Sequence, residues 1–169
     1  DGTHVVELEG EAMLTASDVI VPRDPSSAAF PMVAALITKG SDLSIPGIGM
    51  NPLRTGLITT LKEMGGDIEI SNEHNEGGET VADLRVRHSR LRGIDVPAGR
   101  AASMIDEYPI LAVAATQAEG TTKMLGVAEL RVKEADRIAV VAEGIIAAGG
   151  KVTYDEDSMC VTGSPVAGG

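Results

Sequence analysis

A run of landmarks occurs twice in order along this chain, and it limits the fold more than any other feature. Ile20-Val-Pro22 matches Asp95-Val-Pro97. Phe30-Pro31, followed by Val33-Ala-Ala35, matches Tyr108-Pro109, followed by Leu111-Ala-Val-Ala-Ala115. Met64-Gly-Gly-Asp-Ile68 matches Ala148-Gly-Gly-Lys-Val152. The offset drifts from 75 to 84 residues, as small insertions would make it, and is too long for a solenoid repeat. Two copies of one supersecondary unit are therefore expected.

Each copy reads β-α-β-α-β-β. A short strand ends at the Val-Pro pair, and helices are expected over Pro25–Thr38 and about Met104–Ala118. Strands follow at Asp42–Ile48 and Thr122–Val127, then helices at Pro52–Met64 and about Val132–Ala148. The closing strands are Asp67–Ile70 and Val81–Arg87 in the first copy, Lys151–Tyr154 and Met159–Val161 in the second. Asn51 then Pro52 reads as an N-cap with proline at the first helical position, and Gly65 and Gly149 as left-handed C-caps. Pro31 and Pro109 are expected to kink their helices or delay their starts. Ile138, Val141, Ala142, Ile145 and Ile146 form the apolar stripe of a helix lying on a sheet. The fold class is mixed α/β. The division expected is 1–90 as a first unit with a lead-in strand at His4–Glu9, 91–163 as a second unit, and 164–169 as a flexible tail. Both ends read as cut from something longer; a processed small protein is the other reading.

Composition removes several functions. With 14 Lys and Arg against 25 Asp and Glu, the net charge of −11 repels phosphate backbones and anionic lipid. Phe30, Tyr108 and Tyr154 are the only aromatics, too few for a base-stacking platform, and no apolar run is long enough to cross a bilayer. No nucleic-acid partner and no membrane partner are expected. One cysteine, Cys160, suits a reducing compartment, and no signal peptide is visible, so a cytoplasmic location is expected. His4, His74 and His88 are scattered without metal-ligand spacing, so no metal site is expected. Tyr154-Asp-Glu-Asp157 lacks the glycine and later glutamate of a calcium loop and reads as a solvated turn; Glu73–Glu79 reads as an exposed loop. Phosphate-loop, dinucleotide and Gly-x-Ser-x-Gly signatures do not occur.

Two segments carry the candidate chemistry. In Ser103-Met-Ile-Asp-Glu-Tyr-Pro109 an acid pair opens a helix, with Ser103 as N-cap and Asp106 reaching back as in a capping box. That capping role competes with a catalytic one for Asp106. Arg131-Val-Lys-Glu-Ala-Asp-Arg137 also reads as a helix start, but its basic residues oppose the helix dipole, and Lys133 and Arg137 stand four apart on one face. An anion bound there would relieve both conflicts, whereas Glu134 and Asp136 neutralise the same charges if none is bound. Glu134 lies four residues before Ile138, toward the apolar stripe, where partial desolvation would raise its pKa and suit proton transfer. Asp24 followed by Pro25 reads as a further N-cap, with Ser26 and Ser27 in the first turn.

Val21-Pro-Arg-Asp-Pro-Ser-Ser-Ala-Ala-Phe-Pro31, Asn51-Pro-Leu-Arg-Thr-Gly56 and the two segments above together resemble the 5-enolpyruvylshikimate-3-phosphate synthase family over nearly the whole chain. Within the family the likeness is to the bacterial subclass associated with glyphosate tolerance. The resemblance implies a domain of three β-α-β-α-β-β units, of which two are present. It implies transfer of the enolpyruvyl group from phosphoenolpyruvate to the 5-hydroxyl of shikimate 3-phosphate through a tetrahedral intermediate, without a cofactor. Asp106 matches the family's catalytic aspartate, Lys133 a lysine contacting shikimate 3-phosphate, Glu134 a glutamate moving a proton at the methylene carbon, and Arg137 an arginine holding phosphoenolpyruvate. Arg23, Leu53, Ala102 and Ala135 depart from the family pattern, and none of them removes a charged catalytic group. The family's Lys-Ser, Ser-Ala-Gln and His-Arg segments have no counterpart here, so the remainder of the enzyme is an expected partner and the chain alone is expected to be inactive. A folded module without turnover, and a piece of the sister transferase acting on UDP-N-acetylglucosamine, are the alternatives.

Overall fold

The computed structural model describes residues 5–11 and 13–164. Among the described residues, two sheets carry four α-helices. The first sheet contains β1 (Asp42–Gly49), β2 (Asp67–Glu76) and β3 (Glu79–Arg87) in the order β1-β3-β2, both pairs antiparallel. The second contains β4 (Asp95–Val96), β5 (Thr121–Leu125), β6 (Lys151–Tyr154) and β7 (Ser158–Thr162) in the order β4-β5-β7-β6. Here β4 runs parallel to β5, and the other pairs are antiparallel. The first sheet has the same plan: where β4 would lie, Arg23 forms an isolated parallel bridge to Ile48 of β1. The helices are α1 (Pro25–Ile37), α2 (Gly56–Glu63), α3 (Tyr108–Thr116) and α4 (Arg137–Ala147), so the order of elements repeats as the landmarks require.

Local chemistry sets most helix ends. The Asp24 carboxylate accepts from the Ser26 and Ser27 amides and caps α1. At the end of α2 the Gly66 amide donates to Leu61 O and the Gly65 amide to Lys62 O. At the end of α4 the Gly150 amide donates to Ile145 O and the Gly149 amide to Ile146 O. These are matching Schellman closures, with Gly65 at φ +93° and Gly149 at φ +86°. Pro31 sits on the exposed side of α1 and the helix runs through it, whereas Pro109 follows the first residue of α3 and marks a late start.

Several expected elements differ. Val5–Glu9 forms no strand and is exposed; the expected strand's first residue, His4, lies outside the described residues. Asn51 does not cap α2: its side chain accepts from the Leu53 amide, a local turn intervenes, and the helix opens at Gly56. Glu73–Glu79 is largely strand, because β2 and β3 continue to a turn at Gly77 and Gly78, both at positive φ. The segments before α3 and α4 are 3₁₀ turns and bends rather than α-helix. Ser164 is tied back through its amide to Thr116 O, and residues 165–169 of the expected tail lie outside the described residues.

One apolar core joins both sheets. α1 packs on α3, and Met32, Leu36, Leu61, Met64, Leu84, Met104, Leu111, Met124, Leu130 and Ile138 are fully enclosed. With so few aromatics, thioethers and small side chains fill the space between layers. On α4, Ile138, Ala142 and Ile145 are buried and Val141 packs on the core's edge, but Ile146 is 52% exposed and leaves the expected stripe.

Candidate active site

Asp106 stands in the 3₁₀ turn Ile105–Glu107 immediately before α3. Buried Met104 and Tyr108 flank it and anchor the turn on the core, which leaves the Asp106 side chain 55% exposed at the edge. The approach to this turn is braced from α2. Arg100 forks onto Glu63 at 2.6 and 2.7 Å and reaches Thr60 Oγ1 at 3.0 Å. Gly56 fits directly against Ser103 and Met104. Ser103 is no helix cap, since its hydroxyl donates to Arg100 O, and Asp106 does not reach back to it. The capping-box reading therefore falls, because α3 begins four residues later than that reading requires.

Arg137 is the first residue of α4. Its Nη1 donates to Asp106 Oδ1 at 2.8 Å, while Nε and Nη2 fork onto the two Glu134 oxygens, each at 2.9 Å. Side chains 31 residues apart in sequence thus meet at one edge, ahead of two helices. The Arg137 guanidinium is held above its ordinary range, first by the Glu134 hydrogen bonds and then by Asp106. The Glu134 carboxyl is held below its ordinary range, first by Arg137 and then by its own backbone amide. The expected upward shift from desolvation is thus reversed: Glu134 is 69% exposed and turned to the guanidinium rather than to the apolar stripe.

Lys133 takes a different partner. Its Nζ pairs with Glu129 Oε1 at 2.9 Å, and its charge still contributes to keeping Glu134 ionised. The expected like-charge repulsion with Arg137 on one helical face does not arise, because 133–135 is a bend and Asp136 caps α4 through the Ala139 amide. Asp106, Glu134 and Arg137 are in direct contact, and Lys133 stands beside them with its ammonium engaged elsewhere.

The first unit holds a parallel arrangement that sequence reasoning missed. Arg54, just before α2, donates to Asp24 Oδ1 at 3.2 Å and to Ser26 Oγ at 2.8 Å at the start of α1. In both units a guanidinium at the start of the second helix holds a carboxylate at the start of the first. The only foreshadowing was arginine ahead of each second helix. Arg23 spends its guanidinium on Pro46 O. Chemically, a guanidinium fork on a carboxylate can exchange that carboxylate for the carboxylate or phosphate of a ligand of like geometry. Among the described residues no group of three or more His, Cys, Asp or Glu is placed to hold a metal ion, and no helix is long and apolar enough to cross a membrane.

The fold is that of the enolpyruvyl transferases: the structure of the enolpyruvyl transferase NikO from Streptomyces tendae superposes with a TM-score of 0.60 at 20% identity over 82% of this chain and 29% of that one. The family model for EPSP synthase (3-phosphoshikimate 1-carboxyvinyltransferase) matches residues 1–169, and the chain belongs to that family. The 3-phosphoshikimate 1-carboxyvinyltransferase of Methylorubrum populi is 64% identical over 173 residues, covering all of this chain and 38% of that protein. The enzyme of the same name from Parvibaculum lavamentivorans is 62% identical over 96% of this chain and 36% of that protein. The structure of EPSP synthase from Acinetobacter baumannii matches with a TM-score of 0.88 at 42% identity, over 95% of this chain and 39% of that one. The chain spans less than two-fifths of the length of these relatives.

Proposed function

We propose that this chain supplies one wall of an active site that transfers the enolpyruvyl group of phosphoenolpyruvate to the 5-hydroxyl of shikimate 3-phosphate, releasing phosphate. The contact that carries this reading is the Arg137 guanidinium held between Asp106 and Glu134. Arg137 presents a planar fork suited to the carboxylate or phosphate of phosphoenolpyruvate. A substrate anion taking that fork displaces Glu134 from the cation that keeps its pKa low. Glu134 then recovers the basicity needed to carry a proton to the methylene carbon. Asp106 accepts the proton of the 5-hydroxyl as its oxygen bonds to C2 of phosphoenolpyruvate. Loss of phosphate from C2 and of a proton from the adduct's new methyl group restores the methylene and completes the exchange. Lys133, released from Glu129, contacts the shikimate phosphate. No cofactor takes part.

The chain is read as part of one domain, with 1–90 and 91–163 as its two units, working in the cytoplasm. The remainder of the enzyme is its partner. An apolar groove of about 420 Å³ beside Phe30, Ile110, Val113 and Val141 is the surface on which further structure would pack. The test is an NMR titration of ¹⁵N-labelled chain with millimolar phosphoenolpyruvate. The Arg137 Nε–H signal should move, and Arg137→Met should abolish the response of the neighbouring amides. An unmoved Arg137 signal with shifts elsewhere would remove Arg137 from the phosphoenolpyruvate site.

A further inference from the structure

The segment that carries Lys133, Glu134 and Arg137 has almost no backbone support of its own. Among the described residues, none of the amides of Lys133, Glu134, Ala135 or Asp136 donates a hydrogen bond to another backbone carbonyl. Side chains must therefore hold it, and one does most of that work. The Arg131 guanidinium donates from Nη1 to Asp136 Oδ2 at 2.5 Å, from Nε to Glu156 O at 3.1 Å and from Nη2 to Asp155 O. It also lies over the Tyr154 ring, 5.7 Å from the centroid. All three nitrogens are used, and the side chain is only 26% exposed. The turn it grips is itself pinned. Asp157 O accepts from the Gly126 and Val127 amides, and Asp157 Oδ1 accepts from the Ala128 amide at 2.9 Å. The acidic turn 155–157, read from sequence as merely solvated, is thus a mount for the segment opposite.

We propose that Arg131 is a positioning residue for the candidate site. It clamps Asp136, the cap of α4, onto the β6–β7 turn and so fixes the bearing of Glu134 and Arg137. A lysine cannot replace it, because one ammonium cannot serve a carboxylate, two carbonyls and a ring face from one position. The proposal rests on the reading of Arg137 and Glu134 as site residues, but its geometry is testable without substrate.

The experiment is NMR on ¹⁵N-labelled chain carrying Arg131→Lys or Arg131→Met. In both variants the Arg137 Nε–H signal should shift and broaden, and hydrogen exchange at the Ala139 amide should rise about tenfold. The core amides of Met124 and Val161 should keep their wild-type exchange. An unchanged Arg137 signal overturns the proposal, and so does a rise in core exchange that matches the rise at Ala139, which would mark a general structural role. Should both variants fail to fold, Tyr154→Ala removes only the ring contact from a half-exposed position. It should move the same Arg137 signal by a smaller amount, with Tyr154→Phe restoring the wild-type spectrum; a Tyr154→Ala spectrum identical to wild type overturns the proposal. Failure of the enolpyruvyl-transfer reading would leave all these spectra as described, so the two failures are distinguishable.

Discussion

Tyr108 is wholly buried, and its hydroxyl has no hydrogen-bond partner among the described residues. Replacing it with phenylalanine removes one oxygen and nothing else. An enclosed hydroxyl without a partner costs about 1–3 kcal/mol in proteins. The void left by one oxygen, on the order of 10 Å³, costs only about 0.2 kcal/mol at the usual cavity coefficient. Tyr108→Phe should therefore stabilise the chain by about 1–3 kcal/mol, raising Tm by roughly 2–11 °C for a chain of this size. Urea melts read by circular dichroism should show a higher midpoint at an unchanged slope. Alkaline pH supplies an independent check. Burial pushes the Tyr108 phenol up to about 12, with Arg100 opposing. Between about pH 10 and that value the unfolded chain gives up this proton while the folded chain keeps it. Wild-type stability therefore falls as pH rises through the window, and the difference between wild type and Tyr108→Phe widens. A phenylalanine variant less stable by 1 kcal/mol or more would refute the reasoning, since the hydroxyl would then have to be bonded.

The Glu134 carboxyl should titrate below the ordinary glutamate range by side-chain ¹³C NMR, and Arg137→Met should bring it up. Its pairing stabilises the chain above the unfolded-state pKa and is lost as pH falls through the lower folded value. Gly56→Ala would place a Cβ 2.3 Å from Ser103 Oγ and 3.0 Å from Met104. Overpacking of about 1–3 kcal/mol outweighs the helix-propensity gain of at most about 1 kcal/mol, so Tm should fall in thermal melts. Purified chain given phosphoenolpyruvate and shikimate 3-phosphate should release no phosphate above the trace-contaminant level set by Asp106→Ala, because on the proposed reading it supplies only one wall of the site, and a site open on its other side lacks charge stabilisation and water exclusion.

What could be read from the sequence was what the chain decides locally. Asp24 ahead of Pro25, and the glycine pairs after α2 and α4, end helices through bonds spanning a few residues, and their types suffice to place them. The fold class followed because those signals occur twice. The start of α2 was misplaced because Asn51 satisfies itself on the Leu53 amide, while the helix opens where Gly56 can approach Met104, a contact across 48 residues. The hairpin through Glu73–Glu79 was missed because its tip is polar and exposed, although Gly77-Gly78 is the residue pair that a tight hairpin turn demands. The candidate site was legible by residue type and family likeness, not by local geometry. Arg137 was singled out as an anion-holding cation, and the structure sets it between two carboxylates. Its partners Asp106 and Glu134 were also singled out, but for the wrong local reasons, since neither helix reaches as far back as its periodicity suggested. Arg131 was passed over because its contacts, at 154–156, lie more than twenty residues away.

Grafting gives the most direct test. The chain replaces its 173-residue match in the Methylorubrum populi enzyme, and phosphate release is followed with phosphoenolpyruvate and shikimate 3-phosphate. The grafted enzyme should turn over, and Asp106→Ala and Arg137→Ala should each lower the rate about 100-fold or more while leaving the fold intact by circular dichroism. A folded graft whose rate survives both substitutions would contradict the assignment of this wall to the active site.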